Sequence, residues 1–151
     1  MNEKMNEKNT VTLSKYLLTK GIYSPVKIQK MLFFFRVEEL KSGNNFGYFN
    51  KSNNFQAWIY GPVNPESYFS LQKFFNEEDE QDAYYLSKSE VNEIDEIYGT
   101  WFNQYSKYTK EELIEKSHKN QAWINARANL GVQDPCRKFL EEDATFCEFI
   151  N

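Results

Sequence analysis

Apolar positions recur along most of this chain at helical spacing. The first run, Leu13, Tyr16 and Leu17, shares one face of a helix predicted over residues 12–20 and ended by Gly21. Ser24 followed by Pro25 reads as an N-cap with a first-turn proline, starting a second helix that continues to about Lys41, before the break Ser42-Gly43-Asn44-Asn45. On that helix Lys27, Lys30, Glu38 and Lys41 fall in one narrow stripe, read as a solvated edge. Ile28, Met31, Leu32, Phe33, Phe35, Val37 and Leu40 cover most of the remaining circumference. A helix so nearly apolar all round belongs in the middle of a fold.

The period then changes. Gly47-Tyr48-Phe49 and Phe55-Gln56-Ala57-Trp58 flank the polar turn Lys51-Ser52-Asn53-Asn54, which predicts a small antiparallel hairpin ended by Gly61-Pro62. Asn64-Pro65-Glu66 launches a third helix through about Phe75, and the acidic run Glu77-Glu78-Asp79-Glu80-Gln81-Asp82 reads as a solvated loop. Ser87 and Glu90 form a capping-box pair ahead of Val91, Ile94, Tyr98, Trp101 and Tyr105 on one helix face. Thr109 and Glu112 repeat the signature before Leu113 and Ile114. A short helix bearing Trp123, Ile124 and Arg127 follows, ending near Gly131. Asp134-Pro135 is expected to open a last helix with the face Cys136, Phe139, Leu140, Cys147 and Ile150. The fold class this predicts is mainly α: a compact single-domain helical fold around a central apolar helix, with one small antiparallel β-hairpin.

Composition sharpens this picture. At 151 residues one core is expected, and aromatics at 17% of the chain are too many for a disordered segment. The opening MNEKMNEKN is a polar duplication, so residues 1–10 are read as a disordered tail and 11–151 as the domain. Formal net charge is −4, yet residues 1–41 carry eight Lys/Arg against four Asp/Glu. No cation cluster reaches the density a duplex-binding face needs, so nucleic acid is an unfavoured partner whose contact surface would be the first two helices. Across a helix, Cys136 and Cys147 would lie roughly 16 Å apart and remain free thiols. With no apolar stretch long enough for a span and no signal-peptide pattern, a cytoplasmic location is expected, with no membrane contact.

Three segments carry a resemblance. Lys27-Ile28-Gln29-Lys30-Met31-Leu32-Phe33-Phe34 is similar to a K-L-Q-K-L-L-Y-F helix. Ala57-Trp58-Ile59-Tyr60-Gly61-Pro62-Val63 is similar to an A-W-x-Y-G-P-V turn, and residues 113–127 to an L-S-x-x-T-H-x-x-x-P-W-x-x-A-R segment. In that order and separation they resemble the Panacea domain of SocA-like antitoxins, a family often associated with phage. Ser117 stands where the pattern has Thr, and Ala122 where it has Pro. The resemblance implies a mostly helical domain that neutralises a protein toxin by direct, stoichiometric binding.

The candidate chemistry is thin. His118 is the single histidine, so multi-histidine metal sites are excluded and a base-activated nucleophile would have to use it. No glycine-rich phosphate loop, paired-cysteine motif or nucleophile elbow occurs, and the expectation is a non-enzyme with no catalytic residue, cofactor or metal. His118 near a helix end reads first as a C-terminal cap and second as a partner contact. Rings on a hairpin fill a core, which reads first for Trp58. Strand alternation sets Ile59 on the face opposite Trp58 and Tyr60, so one set is expected to point outward, and Tyr60, whose ring can pack on a partner while its hydroxyl stays bonded, is the better contact candidate. The expected partner surface is Trp58, Tyr60, Gly61, Pro62, His118 and Trp123. Gln29 and Arg36, seven residues apart on the second helix, need polar partners, either in a structural network with buried carbonyls or an acid such as Glu39 or as a polar pocket floor. The alternatives to toxin neutralisation are a nucleic-acid-associated or phage-related regulator using Lys15, Lys20, Lys27 and Lys30, and an adaptor that delivers a toxin to a protease.

Overall fold

A computed structural model describes residues 6–77 and 81–151. Met1 to Met5 of the polar tail and Glu78, Asp79 and Glu80 of the acidic run lie outside the described residues. The elements in order are α1 (Thr10–Thr19), α2 (Pro25–Ser42), β1 (Gln56–Trp58), β2 (Gly61–Val63), α3 (Pro65–Phe75), a 3-10 turn (Gln81–Tyr84), α4 (Lys88–Tyr105), α5 (Lys110–Ser117), α6 (Gln121–Ala126) and a second 3-10 turn (Ala144–Cys147). Helix starts follow the capping chemistry. Ser24, Asn64, Ser87 and Thr109 each accept a backbone N–H with the side chain, and both capping boxes are closed. α1 begins two residues earlier than its apolar pattern suggests, because Asn9 caps it.

α2 is the axis. Every residue from 28 to 37, and Glu39, is buried, with Phe33 packed edge-on to Phe34 and Phe55 and Phe35 stacked on Tyr98. The lysine stripe is therefore not a solvated edge. Lys41 is exposed, but Lys27 donates to the Ser106 carbonyl at 2.8 Å, and Lys30 is 1% exposed with its Nζ 2.9 Å from the Pro62 carbonyl. Helical spacing placed Lys30 in line with the other lysines. The hairpin that folds down over it is a tertiary neighbour that spacing cannot show.

The hairpin is displaced from its expected place. β1 pairs antiparallel with β2 in the register Gln56↔Val63, Ala57↔Pro62 and Trp58↔Gly61, so Ile59 and Tyr60 form the turn and Gly61-Pro62 belongs to the second strand. Residues 51–54 do turn, held by Asn54 to the Lys51 carbonyl, but Tyr48 and Phe49 before them enter the core instead of pairing. The bend is carried by Gly61 at φ +109°, and a Cβ there would overlap Ser117 Oγ and lie 2.9 Å from Lys30 Cε.

The expected last helix is absent. Residues 136–142 run extended along β1: Ala57 N–H donates to the Lys138 carbonyl and Leu140 N–H to the Phe55 carbonyl, both at 2.8 Å. Two needs outside the segment outweigh its helical pattern. The free edge of β1 requires backbone partners, and the buried Arg36 requires Glu142, whose Oε1 accepts from its Nε at 3.0 Å and its Nη2 at 2.7 Å. Arg36 also pairs with Glu39, to which Tyr98 donates at 2.6 Å. Cys136 and Cys147 are free thiols, as expected, though no helix separates them. Glu148 and Ile150 then bond the α5–α6 junction, strapping the C-terminal segment across the end of α5.

Gly61→Ala combines backbone strain with overlap and is expected to cost about 2–4 kcal/mol in denaturant unfolding, far more than Gly→Ala at the open Gly21. Lys30 gives a second test. Burial, with no other cause acting, lowers its pKa from 10.5 to about 7. Below about pH 7 both folded and unfolded chains hold the proton. As pH rises toward 10.5 only the unfolded chain keeps it, so the unfolding free energy rises by up to about 1.4 kcal/mol per pH unit. Unfolding measured from about pH 7 to 9.5 shows this rise in the parent protein and not in Lys30→Met.

Candidate functional site

Three-residue strands leave most of their backbone groups without a sheet partner, and in this hairpin side chains supply them. Lys30 of α2 donates to the Pro62 carbonyl. Gln29 Oε1 accepts the Asn64 N–H at 2.9 Å, and Gln29 Nε2 donates to Ser67 Oγ at 3.0 Å. From the other side Trp123 Nε1 of α6 donates to the Trp58 carbonyl, and Arg127 Nη1 to the Ala57 carbonyl, each at 2.9 Å. Arg127 Nη2 reaches on to the Asp134 carbonyl at 2.7 Å. One guanidinium thus joins the hairpin to the loop after α6. The three segments singled out in the sequence therefore meet at one place, with the turn as their common contact.

Beside the hairpin lies a cleft of about 440 Å³. Pro25 and Val26 at the start of α2, Trp58 to Tyr60 of the turn, Tyr68 of α3 and residues 135–137 of the C-terminal segment form its walls. Trp58 packs edge-on to Tyr68 with ring centroids 4.8 Å apart, and its Nε1 donates to Gln56 Oε1 at 2.8 Å. A smaller hollow of about 200 Å³ adjoins across Pro25, Gln29 and Tyr68, extending toward Leu71 and Phe75. Tyr60, at 64% exposed, and Phe69, at 53%, leave large rings in solvent on the elements that bound the cleft. Hollows with apolar walls and few polar groups are the usual form of a recognition site.

The predicted residues divide by role. Tyr60 is the exposed ring. Trp58 is half-buried in the cleft wall and not a core residue. Gly61 and Pro62 are buried and hold the turn in place. His118 is the C-cap of α5 and stacks face to face on Trp123, with centroids 4.4 Å apart and planes at 10°. Burial lowers its pKa, and the nearby Lys30 and Arg127 charges add to this while the Ile59 backbone partly offsets it. A base needs a nucleophile in reach, but Ser117 Oγ is bonded to the Ile114 carbonyl at 2.8 Å. Gln29 and Arg36 do not share a network: Gln29 orders the start of α3, and Arg36 ties α2 to Glu142.

Two features escaped the sequence reading. Helical spacing assigns Lys30 to solvent because it is blind to what covers a helix. It gives Arg127 a place on a helix but no task, because the acceptors, the Ala57 and Asp134 carbonyls, lie outside that helix. The same holds for Tyr68 and Arg137, which no motif marks, and for Pro135 and Cys136, which the pattern assigns to a last helix and not to a cleft wall. Among the described residues no cluster of His, Cys, Asp or Glu is placed to hold a metal ion, and no helix is long and apolar enough to cross a membrane.

No curated protein and no solved structure matches the chain. The family model of the antitoxin SocA-like Panacea domain matches residues 28–124, from the central helix to the tryptophan of α6. The chain belongs to the SocA-like Panacea domain family of antitoxins.

Proposed function

We propose that this protein is an antitoxin that neutralises a protein toxin by direct stoichiometric binding, with the turn of the hairpin and its cleft as the contact surface. The observation that carries the reading is Tyr60. A large ring, 64% exposed, sits at the tip of a turn whose flanking carbonyls, those of Trp58 and Pro62, are held by Trp123 and Lys30. An aromatic presented on a rigid base loses little entropy on binding, and tyrosine is a frequent hot-spot residue. In this reading Trp58 supplies the adjoining apolar wall, Gly61 and Pro62 set the shape of the turn, and His118 stacked on Trp123 supports it from beneath.

The lysines that a nucleic-acid reading would use each have a partner within the protein. Lys30 is buried, Lys27 bonds the Ser106 carbonyl, Lys20 pairs with Asp95 at 3.1 Å, and Lys15 donates to Asn6 at 3.2 Å. Four cations so occupied make a poor phosphate-binding face. An adaptor that hands a toxin to a protease would bind through the same surface, and is distinguished by whether toxin abundance falls.

Co-expression with a toxin encoded beside this gene is expected to restore growth at unchanged toxin abundance. Tyr60→Ala is expected to keep stability within about 0.5 kcal/mol and to weaken toxin binding roughly 10- to 30-fold, measured by calorimetry on the purified pair. Undiminished binding across Tyr60→Ala, Trp58→Ala and Phe69→Ala would remove the surface assignment.

A further inference from the structure

The cleft beside the hairpin differs in charge from the chain as a whole. The protein has a formal net charge of −4, yet the lining of the cleft includes two cations, Lys30 and Arg137, and no Asp or Glu. Arg137 is exposed and Lys30 is 1% exposed. The ion pairs found among the described residues involve Lys20, Arg36 and Lys41, and neither cation of the cleft takes part in one. An ammonium group has three N–H donors, and the Pro62 carbonyl takes one of Lys30's. A buried cation without an anion is costly, and an arriving carboxylate relieves that cost while gaining a charge-assisted hydrogen bond.

The rest of the lining selects what must carry the carboxylate. Trp58, Ile59, Val63 and Tyr68 are apolar surfaces suited to an aliphatic or aromatic side chain. Two cations in an apolar cleft cannot follow a phosphodiester chain, which needs a row of them. We propose that the cleft seats an apolar segment of the protein partner that bears a carboxylate, its side chain packed on Trp58 and Tyr68 and its carboxylate drawn to Lys30 and Arg137. The identity of the partner as a toxin rests on the antitoxin reading, but the chemistry of the segment does not. The anion is supplied by the end of the partner chain or by an acidic side chain next to an apolar one.

The test uses the whole protein labelled with 15N at its indoles. It is titrated with N-acetyl-leucyl-phenylalanine, with the C-terminal amide of that dipeptide, and with N-acetyl-phenylalanyl-glutamate amide. The Trp58 indole signal reports occupancy. Both carboxylate probes are expected to bind about tenfold more tightly than the neutral amide, and Lys30→Met and Arg137→Gln each reduce that preference. Tighter binding of the first acid assigns the occupant as a chain end, and equal or tighter binding of the glutamate probe assigns it as an acidic side chain. The proposal is overturned if the neutral amide binds as well as the acids, if no probe moves the Trp58 signal, or if the preference survives in both variants. Arg137 lies at the surface, so Arg137→Gln keeps the test decisive should Lys30→Met fail to fold. No toxin is present in this titration. Its failure removes the cleft assignment alone, whereas absence of growth rescue by the parent chain removes the antitoxin reading alone.

Discussion

The tightest constraint in this protein is the approach of the hairpin turn to the two helices beneath it. At Gly61 the backbone lies so close to Ser117 at the end of α5 and to Lys30 in the middle of α2 that no side chain fits between them. Its φ of +109° is one that L side chains avoid, so the residue, the turn and the two helices are fixed together. The position of Trp58 for Trp123, of Pro62 for Lys30 and of Ala57 for Arg127 depends on that approach. A shift of even one ångström at the turn would break several hydrogen bonds at once.

The turn also explains how a small sheet persists in a helical fold. Two strands of three residues are far below the size at which a sheet stands alone. Here α2 and α6 contribute side-chain donors, and the C-terminal segment contributes a third extended stretch through Lys138 and Leu140. Lys30 carries part of this at a cost, because its ammonium is taken out of water with one carbonyl to answer it. A group held in that condition either relieves itself by losing its proton or gains from an anion brought by another molecule. The first possibility concerns stability and the second recognition, and they use the same side chain.

A binding surface gains from this construction. Residues that touch solvent at the site, Tyr60 and the half-buried Trp58, sit on backbone fixed from below, while Gly61 and Pro62, which set that backbone, are buried. The cleft draws its walls from four separate elements, so its shape is a property of the assembled core. Arg127 extends the same logic by tying the loop that carries Pro135 and Arg137 to the hairpin.

Local chemistry was legible in the residues themselves. Caps at Ser24, Asn64, Ser87 and Thr109 act within three residues of where they stand, so helix starts followed from sequence, as did the central place of α2 from its nearly continuous apolar surface. The cap role of His118 was legible for the same reason, whereas Tyr60 is exposed because it sits in the turn between the strands and not by strand alternation. What the residues alone could not decide was pairing. The hairpin closes at Ile59-Tyr60 and not at residues 51–54 because Gly61 can meet Lys30 and Ser117, and the last segment is extended and not helical because β1 and Arg36 both needed it. A pattern of apolar spacing records which residues seek the interior. Which remote backbone edge or buried charge each segment must satisfy is settled only when the whole chain is packed, since those demands come from neighbours up to about a hundred residues away in sequence.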